Sequence, residues 1–328
     1  MAEAAGVSRQ TVSNALNAPE RLRPETLARV QTVIAQLDYR PNEAARSLRT
    51  RSSRLIGMRV SPVSNGTGVL DRFLHAMCEN ARERGYAVLA FAASNQDEEI
   101  AAYEDLLRRN AVDAFALTET SRGDPRARWL LSHGAEFVSF GRPWDVYRPR
   151  HSWVDVDGAA GTSAAVDHLV EQGHRRIAFL GWPEGSGSGD DRHAGWLAAV
   201  TAHRLARTDL VRRSEDGIAG GEAVAGAMLD QRRAPTGIVC ASDTLAVGAL
   251  RAVVERGLKP GLDIAVTGFD DSPIAAAASP ALTSVRQPLE TAAATLVEVI
   301  VEHVNGARTA PTHVLLPPSL TVRPSSQR

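Results

Sequence analysis

The segment Arg9-Gln10-Thr11-Val12-Ser13-Asn14-Ala15-Leu16-Asn17 carries the most distinctive group of functional side chains in the 328-residue chain. At helical spacing Val12 and Leu16 share one face, while Arg9, Gln10, Ser13, Asn14 and Asn17 occupy the other. These are short or forked polar groups rather than the Glu and Lys of a solvated helix. Arg and Gln can each place two hydrogen bonds on a single base edge, a geometry that the major groove of DNA rewards. An ordinary helical hairpin would show the same apolar spacing, so this fragment alone leaves both readings open.

Other chemistries find little support. The nine histidines form no HExxH, and Cys78 and Cys240 stand far apart with no CxxC or Cys/His spacing. A disulfide framework and a cysteine-built zinc site are therefore not expected, and neither is any other metal or cofactor. The loop 185–189 is not a GxGxxG fingerprint, because Asp190 stands where the third glycine belongs, and it holds no GxSxG element. Asp155 and Asp157, two apart in one short segment, are not expected to make a paired-carboxylate site. No nucleophile stands beside a base. A binding protein, not an enzyme, is expected.

The elements that must position the polar helix are legible around it. Residues 2–5 close one helix, Gly6 supplies a tight turn, and Ser8 caps the next helix, expected over 9–16. A further helix is expected over 24–37, with Pro24 near its start and Leu27, Val30, Val33, Ile34 and Leu37 as its apolar stripe. Helix, glycine turn and a second, polar-faced helix make the helix-turn-helix pattern. After it, Pro41 breaks the chain, Asn42 can cap, and 44–49 is helix-prone but too short to stand without a partner. From Leu55 the pattern changes to short apolar strands, at 55–60, 85–91, 114–117, 137–140, 176–180, 238–241 and 264–267. Helices fill most of the gaps, including one over 159–172. This βαβα rhythm implies parallel sheets with helices on both faces, which bind ligands at the carboxyl ends of their strands.

Charge is distributed in the same two parts. Residues 1–56 carry nine arginines against five acids, so a basic segment precedes a body that is net negative within an overall charge of −1. Such asymmetry is expected of a nucleic-acid-facing module on a neutral body. No run of 18 apolar residues occurs, and the N-terminus lacks the basic start and apolar core of a signal peptide. A cytoplasmic protein is expected.

Residues 4–60 resemble the headpiece and hinge of the lactose/galactose repressor (LacI/GalR) family of bacterial transcription factors. The motifs that carry the resemblance are Ala5-Gly6-Val7-Ser8-Arg9-Gln10-Thr11-Val12-Ser13, Tyr39-Arg40-Pro41-Asn42 and Ala45-Arg46-Ser47-Leu48. It continues through Trp153-Val154-Asp155-Val156-Asp157, the run from Gly173 to Gly181, Arg192-His193-Ala194-Gly195-Trp196 and Val266-Thr267-Gly268-Phe269-Asp270-Asp271. The fold it implies is an N-terminal all-α helix-turn-helix headpiece, then an α/β body like that of periplasmic binding proteins, with two doubly wound parallel-sheet lobes. The implied domains are 1–40 for the headpiece, 41–53 for the hinge, 54–154 with 285–310 for one lobe, and 155–284 with 311–328 for the other. The chain begins inside the family's first helix and lacks its cap; a misassigned start is expected, with an impaired headpiece as the alternative.

The resemblance also implies roles. Arg9, Gln10 and Asn14 would read base edges, and Ser8, Thr11, Ser13, Asn17, Arg21 and Thr26 would mostly fix the helix to phosphates. Asn42, Ala45 and Leu48 belong to the hinge, whose paired copies would enter the minor groove with Leu48 as the wedge. Arg192 and Asp270 match the family's effector-binding arginine and aspartate, with Arg142 as a third polar contact and Ser61, Phe73, Trp182, Ser242 and Gln287 as further candidates. Ser242 departs from the family's usual Asn, which leaves the ligand open. The function implied is a homodimeric repressor that reads a palindromic stretch of double-stranded DNA under control of a sugar or sugar derivative. A purine or another metabolite stays open as effector. The alternative is a sugar-sensing protein of the periplasmic-binding type without working DNA binding.

Overall fold

Ser8 sits in extended backbone (φ −71°, ψ 156°) and its hydroxyl accepts a hydrogen bond from the amide of Thr11 at 3.0 Å, which starts helix α1, Arg9–Asn17. In the computed structural model, residues 1–37, 52–60, 68–205 and 208–327 are described, without the side chains of Asn17 and Thr208. A helical turn precedes α1, with the amide of Ala5 donating to the carbonyl of Met1 at 2.9 Å. Pro24 opens α2, Pro24–Gln36, where its missing amide proton costs nothing. Ala5, Val12, Ala15, Val30 and Val33 form the headpiece core, with Met1, Ala2, Leu16, Leu22, Leu27 and Ile34 packed partly against it. Leu37, expected in that stripe, lies beyond the last turn and is exposed.

The body is a separate compact unit from Arg54 onward, and its described residues form two six-stranded sheets. The first joins β1 (Leu55–Val60), β2 (Ala87–Ala92), β3 (Ala114–Leu117), β4 (Phe137–Phe140), β5 (Ser152–Val156) and β11 (His313–Leu316), in the order β2-β1-β3-β4-β5-β11, all parallel. The second joins β6 (Ile177–Gly181), β7 (Val211–Arg213), β8 (Gly237–Cys240), β9 (Ala265–Asp270), β10 (Thr283–Arg286) and β12 (Ser319–Thr321), in the order β7-β6-β8-β9-β10-β12. Only β12 runs antiparallel, against β10. Central strands such as Ala114-Phe115-Ala116-Leu117 are buried on both faces, which is why they read as unbroken apolar runs.

Helices α3 (Val69–Glu83), α4 (Gln96–Arg108), α5 (Pro125–Ser132) and α11 (Leu289–Val304) serve the first sheet. Helices α6 (Gly158–Glu171), α7 (Ser188–Ala202), α8 (Ile218–Leu229), α9 (Asp243–Glu255) and the short α10 (Pro273–Ala277) serve the second. Helices α8 and α9 lie close enough that a methyl group on Gly248 would stand 2.1 Å from the carbonyl oxygen of Ile218, and one on Gly221 would stand 2.4 Å from that of Leu245.

The chain passes between the lobes three times: from β5 into α6, from β10 into α11, and from β11 into β12. This corrects the expected division: β5 and β10 each run two residues past the expected boundaries, to Val156 and Arg286, and residues 313–316 change lobe. His313–Leu316 pairs with β5 in the first lobe (Val314 opposite Val154), and only the residues after it return to the second. The run His-Val-Leu-Leu carries no local mark of which sheet it joins. In both sheets the strand order reverses beside the first strand of the lobe, at β1/β3 and β6/β8, and ligands of doubly wound folds bind at that point.

Candidate ligand cleft and nucleic-acid interface

On the headpiece, packing of Val12 and Ala15 into the core turns Arg9 and Gln10 to solvent and leaves Thr11, Ser13 and Asn14 half-exposed. Gln10 Nε2 donates to Asn14 Oδ1 at 3.0 Å, one helical turn on, so the two amides are oriented together. Arg9 makes no ion pair with another described residue, and the first turn of α1 contains no acid. An anion therefore meets a helix N-terminus, an unpaired guanidinium and the hydroxyls of Ser8 and Thr11, 2.9 Å apart. Arg21 is exposed, with Glu20 at 3.9 Å, and Thr26 is half-buried in the first turn of α2.

In the body, a cleft of about 520 Å³ opens where the carboxyl ends of strands from both lobes face each other. The first lobe contributes Thr118, Glu119 and Thr120 after β3, Phe140 and Gly141 at the end of β4, Trp144 from the following loop, and Asp155 from β5. The second contributes Trp182 after β6, Asp191 and Arg192 from α7, Asp216 before α8, and Phe269 with Asp270 at the end of β9. Gln287 lies on the second crossing between them.

Arg192 and Asp270 form the centre. The Arg192 guanidinium lies 3.7 Å from the centroid of the Phe269 ring and 4.9 Å from that of Trp182, donates to the carbonyl of Ala241, and approaches Asp270 Oδ1 at 3.6 Å. Its Nε has no partner among the described residues. Asp270 adopts φ 112° and Asp271 φ 46°, backbone that L-residues rarely hold and that costs on the order of 1–3 kcal/mol at each position. The turn is clamped from outside the cleft: Asp271 accepts from Arg323 at 2.6 Å and its amide donates to Ser284 Oγ at 2.9 Å. Gln287 Nε2 donates to Asp270 Oδ1 at 2.7 Å. Burial pushes the Asp270 carboxyl up to about 7 despite Arg192 beside it, and lowers Arg192 as well.

A second polar group stands across the cleft. Arg142 reaches Asp155 Oδ2 at 2.7 Å and Asp191 Oδ2 at 2.9 Å, joining the two lobes through one guanidinium, which also covers the ring of Trp144 at 4.8 Å. Asp191 accepts the amide of Ala159 too, and its pKa is raised chiefly by burial. Trp144 packs on Gly187 of the other lobe; a methyl group there would stand 2.4 Å from the indole, and φ of 69° further favours glycine. Among the described residues, the buried indole nitrogens of Trp144 and Trp182 and the hydroxyl of Thr118 find no partner.

Residues 1–42 match the model of bacterial regulatory proteins of the lacI family, and residues 166–326 match that of the periplasmic binding protein-like domain. Over 332 residues the chain is 32% identical to the HTH-type transcriptional regulator CelR of Thermobifida fusca, an alignment covering 99% of this chain and 96% of that protein. The chain belongs to the lacI family of bacterial regulatory proteins. Solved structures of the family are similar over its whole length. A complex of the transcriptional regulator CelR with cellobiose has 29% identity and a TM-score of 0.78, covering 99% of this chain and 98% of that one. The lac repressor dimer bound to operator and the anti-inducer ONPF has 27% identity and a TM-score of 0.86, covering 100% and 98%.

Against this family frame, the effector candidates divide. Arg192, Asp270, Trp182 and Gln287 line the cleft, and Arg142 borders it through Asp155 and Asp191. Phe73 does not reach the cleft: it is fully buried in the first-lobe core, stacked on Phe140 at 4.3 Å. Ser242 is also corrected. It is fully buried as the N-cap of α9, donates to Asp216 Oδ1, and stays outside the lining. Asp243, next to it, accepts from the amide and hydroxyl of Ser272 (2.7 and 2.6 Å) and from Ser284, so it ties α9 to the loop behind Asp270. Ser61, Asn42, Ala45 and Leu48 lie outside the described residues, as does the side chain of Asn17. Asp191, Asp216 and Trp144 are not among the candidates read from the sequence. Their position after strands or in first turns of helices is the signal that could have found them.

Among the described residues, no helix is long and apolar enough to cross a membrane.

Proposed function

We propose that the chain is a cytoplasmic, dimeric repressor whose operator affinity is set by a neutral sugar held between its lobes. The observation that carries this reading is the cleft itself: a donor–acceptor pair, Arg192 and Asp270, on its floor, with tryptophans from opposite lobes on its walls. A sugar hydroxyl both donates and accepts, so a facing arginine and aspartate suit it. Among the described lining residues five are acids (Glu119, Asp155, Asp191, Asp216 and Asp270) and one, Arg192, is a base, which opposes an anionic effector. A volume of about 520 Å³ accommodates one or two sugar rings. The cellobiose bound in the CelR structure supports the same class.

The cleft's role is binding rather than turnover. Its carboxylates are committed to arginine, amide and hydroxyl partners, and Asp270 serves to accept from the ligand. Because the ligand touches both lobes, it changes the angle between them, and through the hinge the spacing of two headpieces on one palindrome. Coupling of about 1–3 kcal/mol, or 5–150-fold in operator affinity, is the expected size. Arg9, Gln10 and Asn14 read bases in this scheme, and Ser8, Thr11, Ser13, Asn17, Arg21 and Thr26 mostly hold phosphates.

Fluorescence anisotropy on palindromes from the upstream region, over a salt series and with cellobiose, maltose and glucose added in turn, tests the proposal. Specific binding that falls steeply with salt and shifts with one sugar is expected. Sugar binding with no DNA affinity would instead make the protein a sensor of the periplasmic-binding type.

A further inference from the structure

The first lobe has a second cavity, of about 490 Å³, under the loop 141–151 where it folds back over α5. Its walls are apolar, from Leu117, Ala127, Leu131, Pro143 and Pro149, and its rim carries Arg128, Arg148 and Arg150. None of these three arginines makes an ion pair or side-chain hydrogen bond to another described residue. The two acids that line the cavity are already engaged. Asp124 is held in a fork by Arg126 at 3.0 and 2.6 Å, and Asp145 accepts the amide of Gly123 and faces Arg122 at 3.9 Å. His151, at the base, is kept neutral because burial pushes its imidazole down to about 4. The cavity therefore offers an apolar interior and three positive charges without counterparts among the described residues.

We propose that this cavity is a second small-molecule site, distinct from the cleft, for an organic anion: one carboxylate or phosphate on a body the size of a ring. The arginines take the anionic group in forked hydrogen bonds, and the apolar walls take the ring. The sign of charge separates the two sites, since the acid-lined cleft repels the ligand that the arginine rim attracts. Trp144 couples them. It lines both cavities, lies under Arg142 and packs on Gly187 of the opposite lobe. A ligand in the second site therefore presses on a wall of the first.

Isothermal titration of the full chain with benzoate and with glucose 6-phosphate, each beside its neutral counterpart, benzyl alcohol or glucose, tests this. At least one anion should saturate at one site per chain, and which of the two does so identifies a carboxylate or a phosphate ligand. Its affinity should fall by about tenfold or more in the double variant Arg148→Gln/Arg150→Gln, with the melting temperature unchanged. Arg192→Met, which disables the cleft, should leave it in place. The assignment is overturned if neither anion saturates by about 10 mM, if the double variant binds as the parent does, or if Arg192→Met abolishes binding.

Discussion

Arg192→Met is the substitution that asks most of the cleft. Methionine keeps an apolar stem against Phe269 while removing the donor to Ala241 and the charge beside Asp270. At 3.6 Å the pair's gross attraction is about 5 kcal/mol at an effective dielectric of 20. The folded protein does not lose that much, because Asp270, already near 7, takes a proton when its partner goes. The remaining cost is the unpaired Ala241 carbonyl and the neutralised acid, about 1–3 kcal/mol of stability. Effector binding suffers separately: losing one charge-assisted hydrogen bond of about 1.5–3 kcal/mol weakens it by about 10- to 150-fold. Operator affinity without effector should stay within about twofold, since the arginine lies in the body and not in the headpiece. Calorimetry with the active sugar and anisotropy on the operator measure the two effects independently. A variant that responds to effector at the parental half-saturation would refute the assignment of the cleft.

Other perturbations read different parts of the molecule. Gln10→Ala should cost about 1–3 kcal/mol in operator affinity and relax selection at one base-pair position, measured on a library of single-substitution operators. Gly248→Ala forces a methyl group against Ile218 and should destabilise the body by about 1–3 kcal/mol, with Tm falling by about 2–4 °C for each of them; an unchanged Tm would contradict the α8–α9 packing. The folded-state pKa of Asp270, about 7, lies above the ordinary carboxylate value, so the folded chain holds a proton that the unfolded chain releases between about pH 4 and 7. The stability from that proton is present at low pH and lost as pH rises through 7; Asp270→Asn should flatten this part of a denaturant-midpoint profile, by at most about 4 kcal/mol.

Much of the architecture is written locally, and the site only partly. Runs such as Ala114-Phe115-Ala116-Leu117 announce buried parallel strands because both faces are covered, and Ser8 before Arg9 announces a helix start. The edge strand Val211–Arg213 escapes such a reading, since two of its three residues are arginines. Phe73 shows how residue type misleads: an aromatic ring stacks as readily on Phe140 in the core as on a ligand. Asp155 and Asp191 become cleft residues only because Arg142 and the crossings bring the lobes together, a relation of distant segments that no local pattern contains. Ser242 reads like a pocket residue but is consumed by capping α9 and holding Asp216.

The placement of β11 and β12 has a consequence for how the protein is made. His313–Leu316 completes the edge of the first sheet and Ser319–Thr321 that of the second, and both lie in the last sixteen residues of the chain. During synthesis the headpiece can fold as soon as it emerges, but neither lobe can seal its sheet until residues 313–321 have left the ribosome. DNA-reading and effector-sensing parts thus mature at different times. A nascent chain would present its headpiece well before any effector could govern it, and a chain cut before His313 would open the edges of both sheets together.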